Sequence, residues 1–156
     1  MAHVVHVGLT VADLERAVRF YTEGLGFEVT VRQVSDAPYL NMTGYPGVDI
    51  AAAFVKLPDD SLFLEIQRYG NVDPEPPRTP GTAAPGSSHI CLSVADVDAD
   101  LERAEQFGGR RVTDPITIDR GVNKGGRAVY LRDPDGYTVE LFMRSPQGGL
   151  GREASR

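Results

Sequence analysis

The stretch HVGLTVADLERAVRFY, residues 6–21, returns as HICLSVADVDADLERA, residues 89–104. The two copies align without a gap at a constant offset of 83 residues, from His6 to His89, from Asp13 to Asp96 and from Gly26 to Gly109. Such self-similarity constrains the fold more than composition does, because each copy must be one supersecondary unit. Two copies are too few for a solenoid. The repeat therefore predicts a pair of modules packed about a pseudo-twofold axis.

Each copy has the same grammar. In VVHVGLTV, Val5, Val7, Leu9 and Val11 alternate with His6, Gly8 and Thr10, the period of a half-buried strand. Asp13 is a good N-cap, and Leu14, Ala17, Val18, Tyr21 and Leu25 follow at helical spacing until Gly26 ends the helix. FEVTVRQV reads as a second strand, and VDIAAAFVKL and SLFLEIQRY as two more, joined by a turn at Pro58-Asp59-Asp60. The second copy predicts strand 88–94, helix 96–107, strands 109–113 and 127–132, the turn Asp133-Pro134-Asp135-Gly136, and strand 137–143. The expected organisation is a βαβββ module over 1–70, a Pro/Gly-rich linker over 71–87, a second βαβββ module over 88–144 and a flexible tail over 145–156.

Composition narrows the function classes. An apolar content of 41% in 156 residues is enough for a packed core. A net charge of −6 without a Lys/Arg cluster argues against nucleic-acid binding. No apolar run approaches the roughly 18 residues that cross a bilayer, and the N-terminus lacks a signal-peptide layout. The lone cysteine, Cys91, precludes an intrachain disulfide and fits a reducing compartment. The expectation is a soluble cytoplasmic protein.

Strand parity separates the polar residues from the core. His6 lies opposite Val5, Val7, Leu9 and Val11, and His89, Cys91 and Ser93 lie opposite Ile90, Leu92 and Val94. On the last strand of each module, Phe63, Glu65 and Gln67 oppose Leu62, Leu64 and Ile66, and Thr138, Glu140 and Phe142 oppose Val139, Leu141 and Met143. Each module thus offers one histidine and one glutamate on the face away from its helix. Converging, these four would form a site for a borderline or hard divalent ion such as Zn, Ni, Co, Fe or Mn. The plain alternative is a solvated strand face, and periodicity alone does not decide between them.

Taken together, H-V-G-L-T-V-A-D-L-E-R-A-V-R-F-Y, L-F-L-E-I, H-I-C-L-S-V-A-D-V-D and Y-L-R-D-P-D-G-Y-T-V-E-L-F resemble the vicinal oxygen chelate superfamily. Its members include glyoxalase I, methylmalonyl-CoA epimerase, extradiol dioxygenases and the fosfomycin and bleomycin resistance proteins. The resemblance covers residues 3–144. It implies an α+β fold of two tandem βαβββ modules forming a cup-shaped, curved mixed sheet. It also implies metal ligands at His6, Glu65, His89 and Glu140, one bound divalent ion and a homodimer.

The resemblance further implies a reaction. In this family the metal stabilises an enediolate formed from a chelating substrate, and a nearby carboxylate moves the proton. The His₂Glu₂ set favours an isomerase, epimerase or isomerising lyase acting next to a carbonyl, with Glu140 the principal base and Glu65 its counterpart. Alternatives are an Fe(II)-dependent dioxygenase, against which Glu65 counts, and a non-catalytic antibiotic- or toxin-binding resistance protein. Glyoxalase I itself fits poorly, because its glutathione-gripping Arg and Asn align with Thr10 and Tyr69. The expected substrate is a small polyoxygenated keto compound, such as a cyclic keto-polyol, or an acyl thioester. Thr10, Gln67, Ser93 and Thr138 would bond its hydroxyls, with Phe63 and Phe142 as apolar walls. Loops 35–47 and 114–127 are candidates to close over it, the second bringing Arg120, Asn123 and Lys124. Cys91 reads as a filler and His3 as an exposed terminal residue.

Overall fold

The structure, a computed structural model, describes residues 1–73 and 79–145. The chain divides into two compact units, Met1–Thr79 and Pro80–Arg156. Each contains a mixed β-sheet, and the α+β class follows from one helix lying against each sheet.

In the first unit the strands are β1 (Val7–Thr10), β2 (Glu28–Ser35), β3 (Asp49–Lys56) and β4 (Phe63–Gly70), in the spatial order β1-β4-β3-β2. β1 runs parallel to β4, and the other pairs are antiparallel. Helix α1 (Leu14–Arg19) begins where Asp13 accepts a hydrogen bond from the Arg16 amide at 3.0 Å. It packs Ala17 and Val18 toward Leu64, Ile66, Val55 and Ala53, all buried, which is the core that alternation predicted. Val5 is a correction: it is 69% exposed, because the strand ladder starts only at Val7.

The expected single helix over 14–25 changes character midway. Residues Phe20–Gly24 form a π-helical turn, with Phe20 and Tyr21 fully buried and Tyr21 edge-on to Phe27. A π turn takes up one extra residue. Accordingly the left-handed glycine that ends the first helix is Gly26, thirteen residues after its cap, whereas in the second unit it is Gly108, twelve after Asp96. The repeat alignment, which set Gly26 on Gly109, is off by that one residue at its end.

The second unit repeats the plan with β5 (His89–Ser93), α2 (Val97–Gln106), β6 (Arg110–Arg111), β7 (Ile116–Thr117), β8 (Arg127–Arg132) and β9 (Thr138–Met143). The order is β5-β9-β8-β6, with β7 also paired to β8 and β5 parallel to β9. Asp96 caps α2 through the Asp98 and Ala99 amides. Strand 109–113 shrinks to two residues and resumes at Ile116, because Pro115 has no amide for the ladder and disfavours a regular path through Asp114. The turn at 133–136 is held by fully buried Asp133, whose Oδ1 accepts from the Asp135 and Tyr137 amides. Ser145, assigned to a flexible tail, is 7% exposed and belongs to the fold; residues 146–156 and linker residues 74–78 lie outside the described residues. No helix among the described residues is long and apolar enough to cross a membrane.

Leu64→Ala is expected to lower the unfolding free energy by about 2–5 kcal/mol, as truncation of a fully buried leucine does. Asp96→Ala removes a cap worth about 1 kcal/mol. Urea titrations of both variants check the order; equal losses would contradict it.

Candidate metal centre

The parallel pairing of first and last strands determines which side chains meet. In the first unit Gly8 lies opposite Glu65, and His6 stands two residues earlier on the same side. In the second, Cys91 lies opposite Glu140 and His89 stands two residues earlier. The same diagonal arises twice. His6 Nε2 is 3.2 Å from Glu65 Oε2, and His89 Nε2 is 3.1 Å from Glu140 Oε2. His6 itself precedes β1 by one residue, while His89 opens β5. Matching main-chain bonds, Val11 N to Gln67 O and Val94 N to Phe142 O, extend the pairing past both pairs.

An aromatic ring completes each pair, and alternation had passed both over. Phe54 lies directly across from Glu65 and meets the His6 ring edge-on at 5.9 Å. Tyr130 lies directly across from Glu140, 5.0 Å from the His89 ring, with its hydroxyl 3.5 Å from Nε2. Only the strand register brings each ring opposite its glutamate, and alternation along a single strand carries no signal of it. Burial, then the Glu140 charge, raises the Tyr130 phenol above its ordinary value, so it is protonated at neutral pH.

The donor chemistry fits a divalent cation. Imidazole nitrogen and carboxylate oxygen each bind such an ion at about 2.0–2.2 Å. Two donors at adjacent positions on one ion therefore stand about 3 Å apart, the separation seen in both pairs. The imidazoles are 37% and 41% exposed and the carboxylates 21% and 19%, which leaves both pairs accessible. Among the described residues no group of three or more His, Cys, Asp or Glu side chains stands ready to hold a metal; the donors occur as two pairs.

The remaining candidates fall into different surroundings. Thr10 and Gln67 are opposite one another, Thr10 exposed and Gln67 half-buried; Phe63 is half-buried and Ser93 exposed. Thr138 is 3% exposed and its hydroxyl accepts from Arg132 Nη1 at 2.7 Å, so it serves the strand pair instead of a ligand. Phe142 is only 9% exposed: Gly126 packs against its ring, leaving a floor beneath the 118–126 turn and not an open wall. In that turn Arg120 is exposed and pairs with Asp119 at 3.3 Å, Asn123 accepts from the Gly126 amide, and Lys124 is exposed. The 35–47 loop includes a 3₁₀ turn, Pro38–Thr43, and is pinned by Leu40, buried with Val48, Ile50 and Ala52. His3 is exposed, as expected.

Cys91 is exposed on its strand face, but partial desolvation and the adjacent Glu140 push its thiol up to about 11, which disfavours a nucleophilic role.

The Glyoxalase/Bleomycin resistance protein/Dioxygenase superfamily model matches residues 3–141. The chain is 38% identical over 144 residues, 89% of its length, to a 2-epi-5-epi-valiolone epimerase from Actinomyces sp, of which it covers 78%. It is 30% identical to the lactoylglutathione lyase of Haemophilus influenzae, covering 95% of this chain and 98% of that one. Of two plant relatives carrying a lactoylglutathione lyase name it spans less than half, 36% and 44%. In fold it is similar to a glyoxalase family protein from Bacillus cereus, with a TM-score of 0.81, 20% identity and coverage of 93% and 95% of the two chains.

In metal-free protein, alkylation of Cys91 by iodoacetamide should be slow at pH 7 and rise only toward pH 11, since thiolate is the reacting form. Glu140→Gln removes the negative charge that disfavours thiolate and should shift that profile to lower pH. An unshifted profile in this variant would contradict the assigned cause.

Proposed function

From its membership of the glyoxalase/bleomycin resistance protein/dioxygenase superfamily, to which this chain belongs, we propose that it is a divalent-metal-dependent epimerase. Its reaction inverts a carbon next to a carbonyl in a small polyoxygenated ketone. The observation that carries this reading is the His–Glu pair repeated in both units at the same strand register. Similarity to a valiolone epimerase supports the epimerase branch and a cyclic keto-polyol substrate.

In this reading His6, Glu65, His89 and Glu140 are ligands of one ion. When bound, a divalent ion supplies Lewis-acid polarisation of a carbonyl, which acidifies the neighbouring C–H. The chain's own residues do the rest. Each carboxylate turns Oε2 toward its histidine, which leaves Oε1 to hold a proton. Glu140 Oε1 takes the proton from one side of the carbon, and Glu65 Oε1 delivers one to the other. Glu65 enters the cycle protonated and Glu140 ionised, exchange with solvent resets both after turnover, and no oxidant or reductant is required. Phe54 and Tyr130, whose rings lie against the imidazoles, would restrict the ring orientations.

An isomerising lyase of the glutathione type is the second reading, favoured by the lactoylglutathione lyases among the relatives. Thr10 and Tyr69 stand where that enzyme class would place its anchors for a glutathione carboxylate, and neither carries the positive charge or the carboxamide for the task. Turnover of a cyclic keto-polyol and not of a glutathione hemithioacetal separates the two.

Glu140→Gln and Glu65→Gln should each slow deuterium exchange from D₂O into the substrate α-position by about 100-fold or more, the usual loss of a general base. Proton NMR follows the exchange. Wild-type rates in both variants would remove the proposed roles.

A further inference from the structure

The first unit's donor pair has a polar neighbour that its counterpart lacks. Cross-strand register places Gly8, Glu65, Phe54 and Val31 in one row on this face, and Thr10, Gln67, Ala52 and Gln33 in the next. The rows are two residues apart along the strands, about 7 Å. Gln67 reaches across that gap as far as Gly8: its Nε2 comes within 3.7 Å of where a Cβ on Gly8 would stand. Among the described residues neither the Gln67 carboxamide nor the Thr10 hydroxyl has a hydrogen-bond partner, although Gln67 is half-buried.

Two further features define what this row can take. Beyond Gln67 the face is closed, because Leu40, Val48, Ile50 and Ala52 form a buried apolar cluster with Tyr69 against it, and Tyr45 stacks edge-on to Tyr69 at 5.8 Å. Among the paired residues on this face, the cation is Lys56, opposite Phe63, and its Nζ is engaged by Asp60 at 2.6 Å. A carboxylate or phosphate would find no unengaged cationic side chain in these rows. In the second unit the residue at Gln67's register is Phe142, covered by the Gly126 turn.

We propose that the Gln67 carboxamide and the Thr10 hydroxyl form a specificity-determining pair that hydrogen-bonds uncharged hydroxyls of the substrate beside the reacting carbon. The proposal rests on the epimerase reading and narrows its substrate class to neutral, compact polyhydroxy ketones. A carboxamide donates and accepts at once, as vicinal hydroxyls do, and an analogue lacking one hydroxyl leaves it unpaired.

The test compares wild type, Gln67→Leu and Thr10→Val on a cyclic polyhydroxy ketone and on its analogue lacking one ring hydroxyl. The Leu variant keeps the side chain's approximate shape, and Thr10 is exposed, so thermal melting identifies any loss of fold. The expected result is a KM for the full polyol raised about 5- to 10-fold in each variant, kcat within about twofold, and loss of discrimination against the deoxy analogue. Unchanged KM and unchanged discrimination in both folded variants overturn the proposal while leaving the epimerase reading intact. If wild type turns over no keto-polyol, the epimerase reading falls, and calorimetric titration with a non-reactive cyclic hexol decides the pair separately. Weaker binding by Gln67→Leu than by wild type then supports it; equal binding, or none by either, overturns it.

Discussion

In each unit an imidazole and a carboxylate meet because the first and last strands lie side by side and run in the same direction. Side chains two residues out of register on a parallel pair share a face and stand on a diagonal. Here that diagonal joins a nitrogen to an oxygen at 3.2 Å in one unit and 3.1 Å in the other. Everything else in the two sheets serves the register. The Asp-capped helices bury the opposite face, the buried Asp133 turn sets β9 against β8, and Arg132 ties Thr138 and the Pro80 carbonyl to the same strand pair. A slip of one residue in either parallel pair would send the glutamate to the helix side.

The units have diverged around this shared element. Gly8 faces Glu65 where Cys91 faces Glu140; Phe54 stands where the second unit has Tyr130; Gln67 stands where it has Phe142. The first unit therefore presents open hydrogen-bonding capacity beside its donors. The second presents a protonated thiol and phenol close to its carboxylate. In the proposed epimerisation, where one carboxylate takes a proton and the other returns it, such inequality has a use.

Much of this was legible in the residues. Alternation identified both glutamates and both helix-facing cores, and the repeat identified the histidines, because period-two burial is a local property of the chain. What escaped depended on register. Phe54 and Tyr130 reach the site only through their pairing with the last strand, which local pattern does not reveal. Phe142 reads as an apolar wall and Thr138 as a partner for substrate hydroxyls until the Gly126 turn and Arg132 engage them. Val5 alternates correctly but lies before the ladder begins. The π turn at Phe20–Gly24 left no signal beyond one residue of mismatch between the copies.

The proposed function requires that these two pairs act as a single donor set. Its most direct measurement is metal stoichiometry: chelated protein is titrated with Ni²⁺, Co²⁺ or Zn²⁺, and bound metal is counted by elemental analysis for wild type, His6→Ala and His89→Ala. One ion per chain, lost or greatly weakened when either histidine is removed, is the expected result. Two independent ions per chain, one surviving each substitution, or no stoichiometric binding at all, would contradict it.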